Sequence, residues 1–329
     1  MTLRDKINMS YLRWIRGQVG SQKIILVTAT AVIRDNNGRF LLQQRGDFGW
    51  WGFSGGVLEL GESLPACAVR EAREETGLEV VVTRLIGLYS SPDFDVLYPN
   101  GDQVQQFTAT FECHVTGGDL RLDGDETTGL AWCEPGELLE RLGETAVWYR
   151  AMAEDCLANQ PEVSFQRGQP GNSRAEEPYF RFVRRYVGQD RFICPAAAAL
   201  IVDDNGYVLL QRRGDDGSWA LPGGGMELGE RIDQTVIHEI FEETGLAVEP
   251  VQVVGVYSDE RFEVAYPNGD LMKYVSTLFL CRVVGGTLCA DGEESLELRY
   301  FAPDDLPPLP PRHRERIEDG LRGGKTAVF

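Results

Sequence analysis

The sequence predicts an α+β fold built twice. Three observations lead there. Residues 168 apart match without a gap along most of the chain, as in Tyr11/Tyr179, Gly38/Gly206, Trp51/Trp219, Glu75/Glu243, Tyr98/Tyr266, Gly118/Gly286 and Leu138/Leu306. A period that long is a whole domain, so this is a duplication and not a solenoid. Within each copy, apolar runs and helical segments alternate without the regular period of a parallel βαβ fold. Finally, 329 residues suit about two domains, each long enough to bury a core. The expected limits are a first domain over 1–158, a Gly-, Pro-, Ser- and Asn-containing linker over 159–178, and a second domain over 179–329.

Composition narrows the function. Hydrophobic residues at 43% and charged residues at 25% are ordinary for a globular protein. A net charge of −19 argues against general nucleic-acid binding, which needs cationic surface. It leaves open a phosphate-bearing small molecule, because a bound metal can supply local positive charge. The seven cysteines are odd in number, form no C-x-x-C, and lie mostly in apolar runs. Free thiols in a reducing compartment are expected. His114, His238 and His313 are too few and scattered for a zinc site. The N-terminal stretch lacks the apolar core of a signal peptide, and no run reaches transmembrane length. A cytosolic protein with no membrane partner is expected.

Each copy opens with an amphipathic segment, Tyr11–Val19 and Tyr179–Val187, in which aromatics and arginines alternate. Either the aromatics pack locally and the arginines stay wet, or one copy's segment packs on the other or lends an aromatic to a base. Next, Asp35–Gly38 separates apolar runs Ile24–Ile33 and Phe40–Arg45, which reads as a hairpin; Ala196–Val202, Asp203–Gly206 and Tyr207–Arg213 repeat it. After the motif helix come strands near Glu79–Ser90 and Ala247–Ser258. The pentapeptide Tyr98–Asp102 recurs as Tyr266–Asp270, a turn that is either a hairpin tip or a substrate-facing loop. Long strands are expected at Val104–Val115 and Met272–Val284, shorter ones near Gly129–Cys133 and Leu296–Phe301. Copy one then turns helical over Pro135–Leu157; copy two has Pro-rich 307–311 and a charged helix near Arg312–Leu321.

The stretch Gly55–Leu78 carries the chemistry. Ser63 is placed to cap a helix, Pro65 fits its first turn, and Gly77 can end it in the left-handed conformation. Glu71, Glu74 and Glu75 crowd its last turn, where the helix dipole disfavours each acid by roughly 0.3–1 kcal/mol. Glu71 and Glu75 share a face and repel. Arg70 can pair with Glu74, but one arginine does not neutralise three acids. A solvated acidic face is the plain alternative. A divalent cation reverses the argument, since clustered hard oxygens suit Mg²⁺ or Mn²⁺. The arrangement also occurs a second time.

Gly56, Glu62 and the run Arg70-Glu71-Ala72-Arg73-Glu74-Glu75-Thr76-Gly77-Leu78 resemble the Nudix box at every defining position. The resemblance implies two Nudix-like α/β/α sandwich domains with mixed sheets. It implies metal ligation by Glu71, Glu74 and Glu75 with a backbone carbonyl near Gly55 or Gly56. In copy two the matching residues are Glu239, Glu242 and Glu243 with Gly223 and Gly224. It further implies hydrolysis of a nucleoside diphosphate linked to another group, with Mg²⁺ or Mn²⁺ as cofactor. The general base would be a glutamate of the box or of a later loop; Glu126 and Glu294 are loop candidates, or else exposed acidic turns.

Both copies depart from the pattern. Copy one has Phe53-Ser54-Gly55-Gly56 where the family usually has Leu-Pro-Gly-Gly, which copy two keeps as Leu221–Gly224. Copy two has His238 in place of Arg70, which should loosen Glu242 and weaken metal binding. Pro92 loosely resembles a proline of ADP-ribose hydrolases; copy two has Glu260 there. The expectation is a tandem pyrophosphohydrolase acting on ADP-ribose or a similar nucleotide sugar, with copy one the stronger catalyst and the two copies forming an intrachain pseudo-dimer. The alternative is a nucleotide-sensing or structural tandem in which copy two binds without efficient turnover.

Overall fold

The computed structural model describes residues 9–122, 124, 126–144, 146–171, 177–266 and 268–329. Pro267 of the second pentapeptide and part of the expected linker lie outside the described residues. Copy one comprises α1 (Tyr11–Val19), β1 (Ile24–Arg34), β2 (Phe40–Arg45), β3 (Ser54–Val57), α2 (Leu64–Thr76), β4 (Leu78–Tyr89), β5 (Gln103–Gly118), β6 (Thr127–Cys133), α3 (Leu138–Leu142) and α4 (Val147–Ala158). Copy two comprises α5 (Tyr179–Val187), β7 (Phe192–Ile201), β8 (Val208–Arg213), β9 (Gly223–Gly225), α6 (Ile232–Thr244), β10 (Leu246–Tyr257), β11 (Leu271–Gly286), β12 (Ser295–Phe301) and α7 (Pro311–Arg322).

The sheets are mixed. β1 runs parallel to β5 from Ile24↔Val104 to Arg34↔His114, and β3 lies antiparallel along its other edge. β4 completes this layer on β5. Alternation along β1 sorts its side chains between two faces. Ala29, Ala31 and Ile33 pack with Cys67, Ala68 and Ala72 of α2. Val32 packs on the opposite side with Leu138, Leu142, Met152 and Ala153 of α3 and α4. This is an α/β/α sandwich.

Two local expectations change. The hairpin strands β1 and β2 meet at one pair only, Arg34↔Phe40, and copy two keeps a single bridge, Val202↔Val208. The edges of β1 are already taken by β5 and β3, so β2 pairs instead with β6 and the short strand Trp51–Gly52. The helical stretch expected over Pro135–Leu157 is broken into a 3₁₀ turn, α3 and α4, because Gly143 takes φ 68° and ends α3.

The halves are joined by reciprocal contacts, the pattern of an isologous dimer interface. Tyr11 Oη accepts from Ile193 N (3.0 Å), and Tyr179 Oη from Ile25 N (2.9 Å). Ser258 Oγ accepts from Leu64 N at the start of α2 (2.8 Å), and Ser90 Oγ from Ile232 N at the start of α6 (2.9 Å). Each copy's tail reaches the other: Phe165 packs edge-on against Phe279, and Phe329 against Phe111. The opening segments therefore pack across the interface. Arg16 and Arg184 do not stay wet; their side chains are 11% exposed and donate to backbone carbonyls such as Gln103 O and Leu271 O. The described part of the linker is docked, with Gln166 O and Gly168 O accepting from Arg231. All seven cysteines are free, and Cys289 is the exposed one.

Candidate active site

Helix α2 forms as its sequence requires. Ser63 Oγ accepts from Ala66 N (3.4 Å), Pro65 occupies the first turn, and Gly77 closes the last turn at φ 76°. Its buried stripe is Leu64, Cys67, Ala68, Glu71, Ala72, Glu75 and Thr76. Two carboxylates thus lie on the face a helix reserves for apolar residues, while Glu74 stays outside at 60% exposed.

Each acid has its own setting. Glu71 lies over Gly56, where an added Cβ would stand 2.2 Å from Glu71 Oε1, so any side chain there would push the carboxylate from its place. Glu75 accepts from Ser54 Oγ (2.6 Å), Gly55 N (2.9 Å) and Gln43 Nε2 (3.1 Å). Arg70 forms the expected bond to Glu74 (3.0 Å), and also bonds Glu71 (2.6 Å) and Val57 O (3.1 Å). Its fork grips Glu62 with two bonds of 2.9 and 3.0 Å, which the sequence reading did not anticipate. Burial pushes the Glu71 carboxyl up to about 7; Arg70 opposes this and Glu75 adds to it. Burial also raises Glu75, against the pull of Ser54, Gln43 and Gly55.

Among the described residues no three Asp, Glu, His or Cys side chains already close round one point. Glu71 and Glu74 are held by Arg70, and Glu75 is turned to β3. The donor set nevertheless fits a divalent cation: hard oxygens, a glycine floor, and a buried carboxyl that lacks enough counter-charge to ionise at its ordinary pH.

Glu71, Glu74, Glu75, Arg70, Gly55 and Gly56 line a cleft of about 720 Å³. Its far walls carry Arg16 and Arg45, and the aromatics Tyr98, Trp148 and Tyr149. Asn100 and Asp102 line it too, so this pentapeptide faces the cleft. Glu126 lies on its lining and is exposed. Pro92 is not part of the lining; it opens a 3₁₀ turn whose cap, Ser91, donates to Gln169 O (2.7 Å). Arg45, Trp148 and Tyr149 escaped sequence reasoning. The spacing hid the last two: Tyr89 Oη bonds Asp155 and Tyr257 Oη bonds Asp319, so the final helices correspond at 164 and not 168.

Copy two repeats the frame with altered detail. Glu239 lies over Gly224, where a Cβ would stand 2.1 Å from its Oε2. Glu243 accepts from Gly223 N (2.7 Å) and Gln211 Nε2 (2.9 Å), and Pro222 offers no hydroxyl where Ser54 does. Burial pushes Glu243 to about 7, with Glu294 adding to the rise. His238 Nδ1 lies 2.6 Å from Glu230 Oε1, one contact where Arg70 makes two. Glu242 is exposed, as Glu74 is. Tyr266 and Tyr274 join hydroxyls at 2.7 Å, and Tyr274 stands where copy one has Gln106. Arg312 and His313 take the places of Trp148 and Tyr149.

The NUDIX domain profile matches residues 25–156 and again 193–320. The chain belongs to the NUDIX family. It is a Nudix pyrophosphohydrolase with two Nudix domains in tandem. An ADP-ribose pyrophosphatase of Methanocaldococcus jannaschii is 36% identical over 135 residues, spanning 40% of this chain and 76% of that protein. A CTP pyrophosphohydrolase of Escherichia coli K12 is 32% identical over 123 residues, spanning 36% of this chain and 82% of that protein. Among solved structures, an ADP-ribose pyrophosphatase from Streptococcus suis aligns at 27% identity over 41% of this chain and 98% of its own, with a TM-score of 0.35. Nudix hydrolases work with divalent metal ions. No helix among the described residues is long and apolar enough to cross a membrane.

Proposed function

We propose that copy one is the working catalytic centre and that it hydrolyses the pyrophosphate bond of ADP-ribose or a similar nucleotide sugar. The observation that carries this reading is the single cleft joining the Glu71/Glu75 acids to Arg16, Arg45 and the aromatic wall. The acids suit the diphosphate end through a cation, the arginines suit phosphate charge, and Tyr98 and Trp148 offer flat apolar surface to a base. The methanococcal relative supports the substrate class; Pro92, off the cleft, does not.

Glu71, Glu74, Glu75 and a carbonyl of Gly55 or Gly56 would hold Mg²⁺ or Mn²⁺. When bound, the ion polarises phosphate oxygens and acidifies water. Arg70 orders Glu71 and Glu74 and is itself held by Glu62. Water oxygen forms a bond to one phosphorus, the bridging P–O bond breaks, and the water proton passes to a carboxylate. Glu126 on the cleft lining is the loop candidate for that base.

In copy two, Glu239, Glu242 and Glu243 with Gly223 and Gly224 form the matching set. The Tyr266–Tyr274 hydroxyl pair and His238 favour a second reading for this copy, binding or support without efficient turnover. We place the domains at 1–158 and 179–329 about a linker over 159–178, acting as an intrachain pseudo-dimer in the cytosol on small nucleotides and not on nucleic acid. A panel of nucleoside diphosphate derivatives assayed with Mg²⁺ and Mn²⁺ tests the proposal. Turnover of nucleotide sugars that Glu75→Gln abolishes and Glu243→Gln spares is expected; the opposite pattern overturns the assignment of copies.

A further inference from the structure

The second copy reaches into the first copy's acidic site through one side chain. The loop over residues 59–62 links β3 to α2. It supplies Glu62, which grips Arg70, and Glu59, whose carboxylate accepts from Tyr11 N (2.7 Å) at the start of α1. Two carbonyls of this loop, Glu59 O (3.4 Å) and Glu62 O, accept from the ammonium of Lys273 on β11. Lys273 is 0% exposed. Burying an ammonium is costly unless it is well bonded, and here its bonds cross from one copy to the other. The reciprocal position in copy one is Gln105, which contacts Gly229 N (2.8 Å) and Glu230 O (2.6 Å) with a neutral amide. The interface therefore places a cation on the first copy's loop and an uncharged group on the second's. The loop it holds ends at the acid that clamps Arg70.

We propose that Lys273 is a positioning residue for the first copy's metal-binding acids: from across the interface it fixes the 59–62 loop, and through Glu62 and Arg70 it aims Glu71 and Glu74. The chain of contact is short. Lys273 bonds Glu62 O, the Glu62 carboxylate bonds Arg70 twice, and Arg70 bonds both acids. The proposal rests on the reading of copy one as the catalytic centre.

The test is Mn²⁺ titration followed by electron paramagnetic resonance on the full chain, with Glu239→Gln and Glu243→Gln silencing the second site. To that background are added Lys273→Met or Lys273→Gln, the latter the group copy one uses at this place. Melting curves, and kcat and KM on ADP-ribose, accompany each. Lys273→Met should weaken Mn²⁺ binding about 10-fold and lower kcat similarly while KM changes less than about 3-fold, as expected for groups that orient metal ligands. Lys273→Gln should recover Mn²⁺ affinity to within about 3-fold, because an amide at this place can still donate to the loop carbonyl and accept from a loop N–H, as Gln105 does with Glu230 O and Gly229 N. Unchanged Mn²⁺ affinity in a folded Lys273→Met protein overturns the proposal. So does an equal loss in both variants that follows the fall in melting temperature, which is mere packing. Should Lys273→Met fail to fold, Lys273→Thr, too short to reach Glu62 O, takes its place: a loss of about 10-fold that Lys273→Gln does not share supports positioning, and unchanged affinity overturns it. A background protein that binds Mn²⁺ normally but hydrolyses nothing removes the hydrolytic reading alone, and the metal titration still judges Lys273. One that binds no Mn²⁺ overturns both.

Discussion

The two copies share a backbone plan and differ in how they treat the same buried glutamate. Glu75 has three donors and Glu243 two, the missing one being the hydroxyl of Ser54 where copy two carries Pro222. Both carboxyls are raised by burial, and Glu243 reaches about 7. Arg70 draws Glu62, Glu71 and Glu74 into one network, while His238 contacts Glu230 from a shorter ring. The cleft beside the acids of copy one is walled by Tyr98, Trp148 and Tyr149; copy two instead pairs the hydroxyls of Tyr266 and Tyr274 and carries Arg312 and His313 at the positions of Trp148 and Tyr149. Burial keeps His313 well below its ordinary pKa, with Arg316 and Arg312 adding to the effect, so it brings no charge at neutral pH. A duplicated fold thus keeps its acids yet changes the groups that hold them charged and aimed.

The comparison breaks most sharply at the acids themselves. Glu75→Gln should lower kcat by roughly 10²–10⁴ while Glu243→Gln changes it less than about 2-fold, measured on one substrate with saturating Mg²⁺. Next come the arginine and histidine. Arg70→His should weaken Mn²⁺ binding at copy one about 10-fold or more, and His238→Arg should tighten it at copy two, read by titration of each site with the other silenced.

A pH measurement sharpens the electrostatic difference. In the metal-free protein the raised Glu71 and Glu243 carboxyls keep protons that the unfolded chain has already released. Stability should therefore fall as pH rises from about 4.5 to about 7, and Glu71→Gln should gain on the order of 2 kcal/mol over wild type at pH 8, read by urea unfolding. A wild-type stability that climbs over that window contradicts the burial argument. The smallest effect is expected at the hydroxyl. Ser54→Ala should cost about 1 kcal/mol of stability and move the acidic limb of the kcat profile upward, since Glu75 loses a donor to its charged form.

Much of the site was legible because it is local. Ser63, Pro65 and Gly77 mark the ends of α2, and the helical period puts Glu71 and Glu75 on one buried face whatever surrounds them. The Arg70–Glu74 bond follows from spacing alone. Other features were not readable at that range. Ser54 looked like a lost proline and is a donor to Glu75, because β3 passes beside the end of α2. Trp148 and Tyr149 enter the cleft from a helix about seventy residues past the acids, after the repeat has slipped from 168 to 164. The hairpin turn was visible while the pairing was not, since β1 is claimed on both edges by strands elsewhere in sequence.

By itself the sequence determined the duplication, the mixed α and β character, and a helix whose end gathers acids, because each depends on periodicity or on neighbours within a few residues. Tertiary structure alone decided that Ser258 caps the first copy's helix, that Lys273 holds the first copy's loop, and that arginines and aromatics share a cleft with Glu71 and Glu75. Those contacts join residues far apart along the chain, and only the packing of one half against the other, and of helix against sheet, brings them within bonding distance.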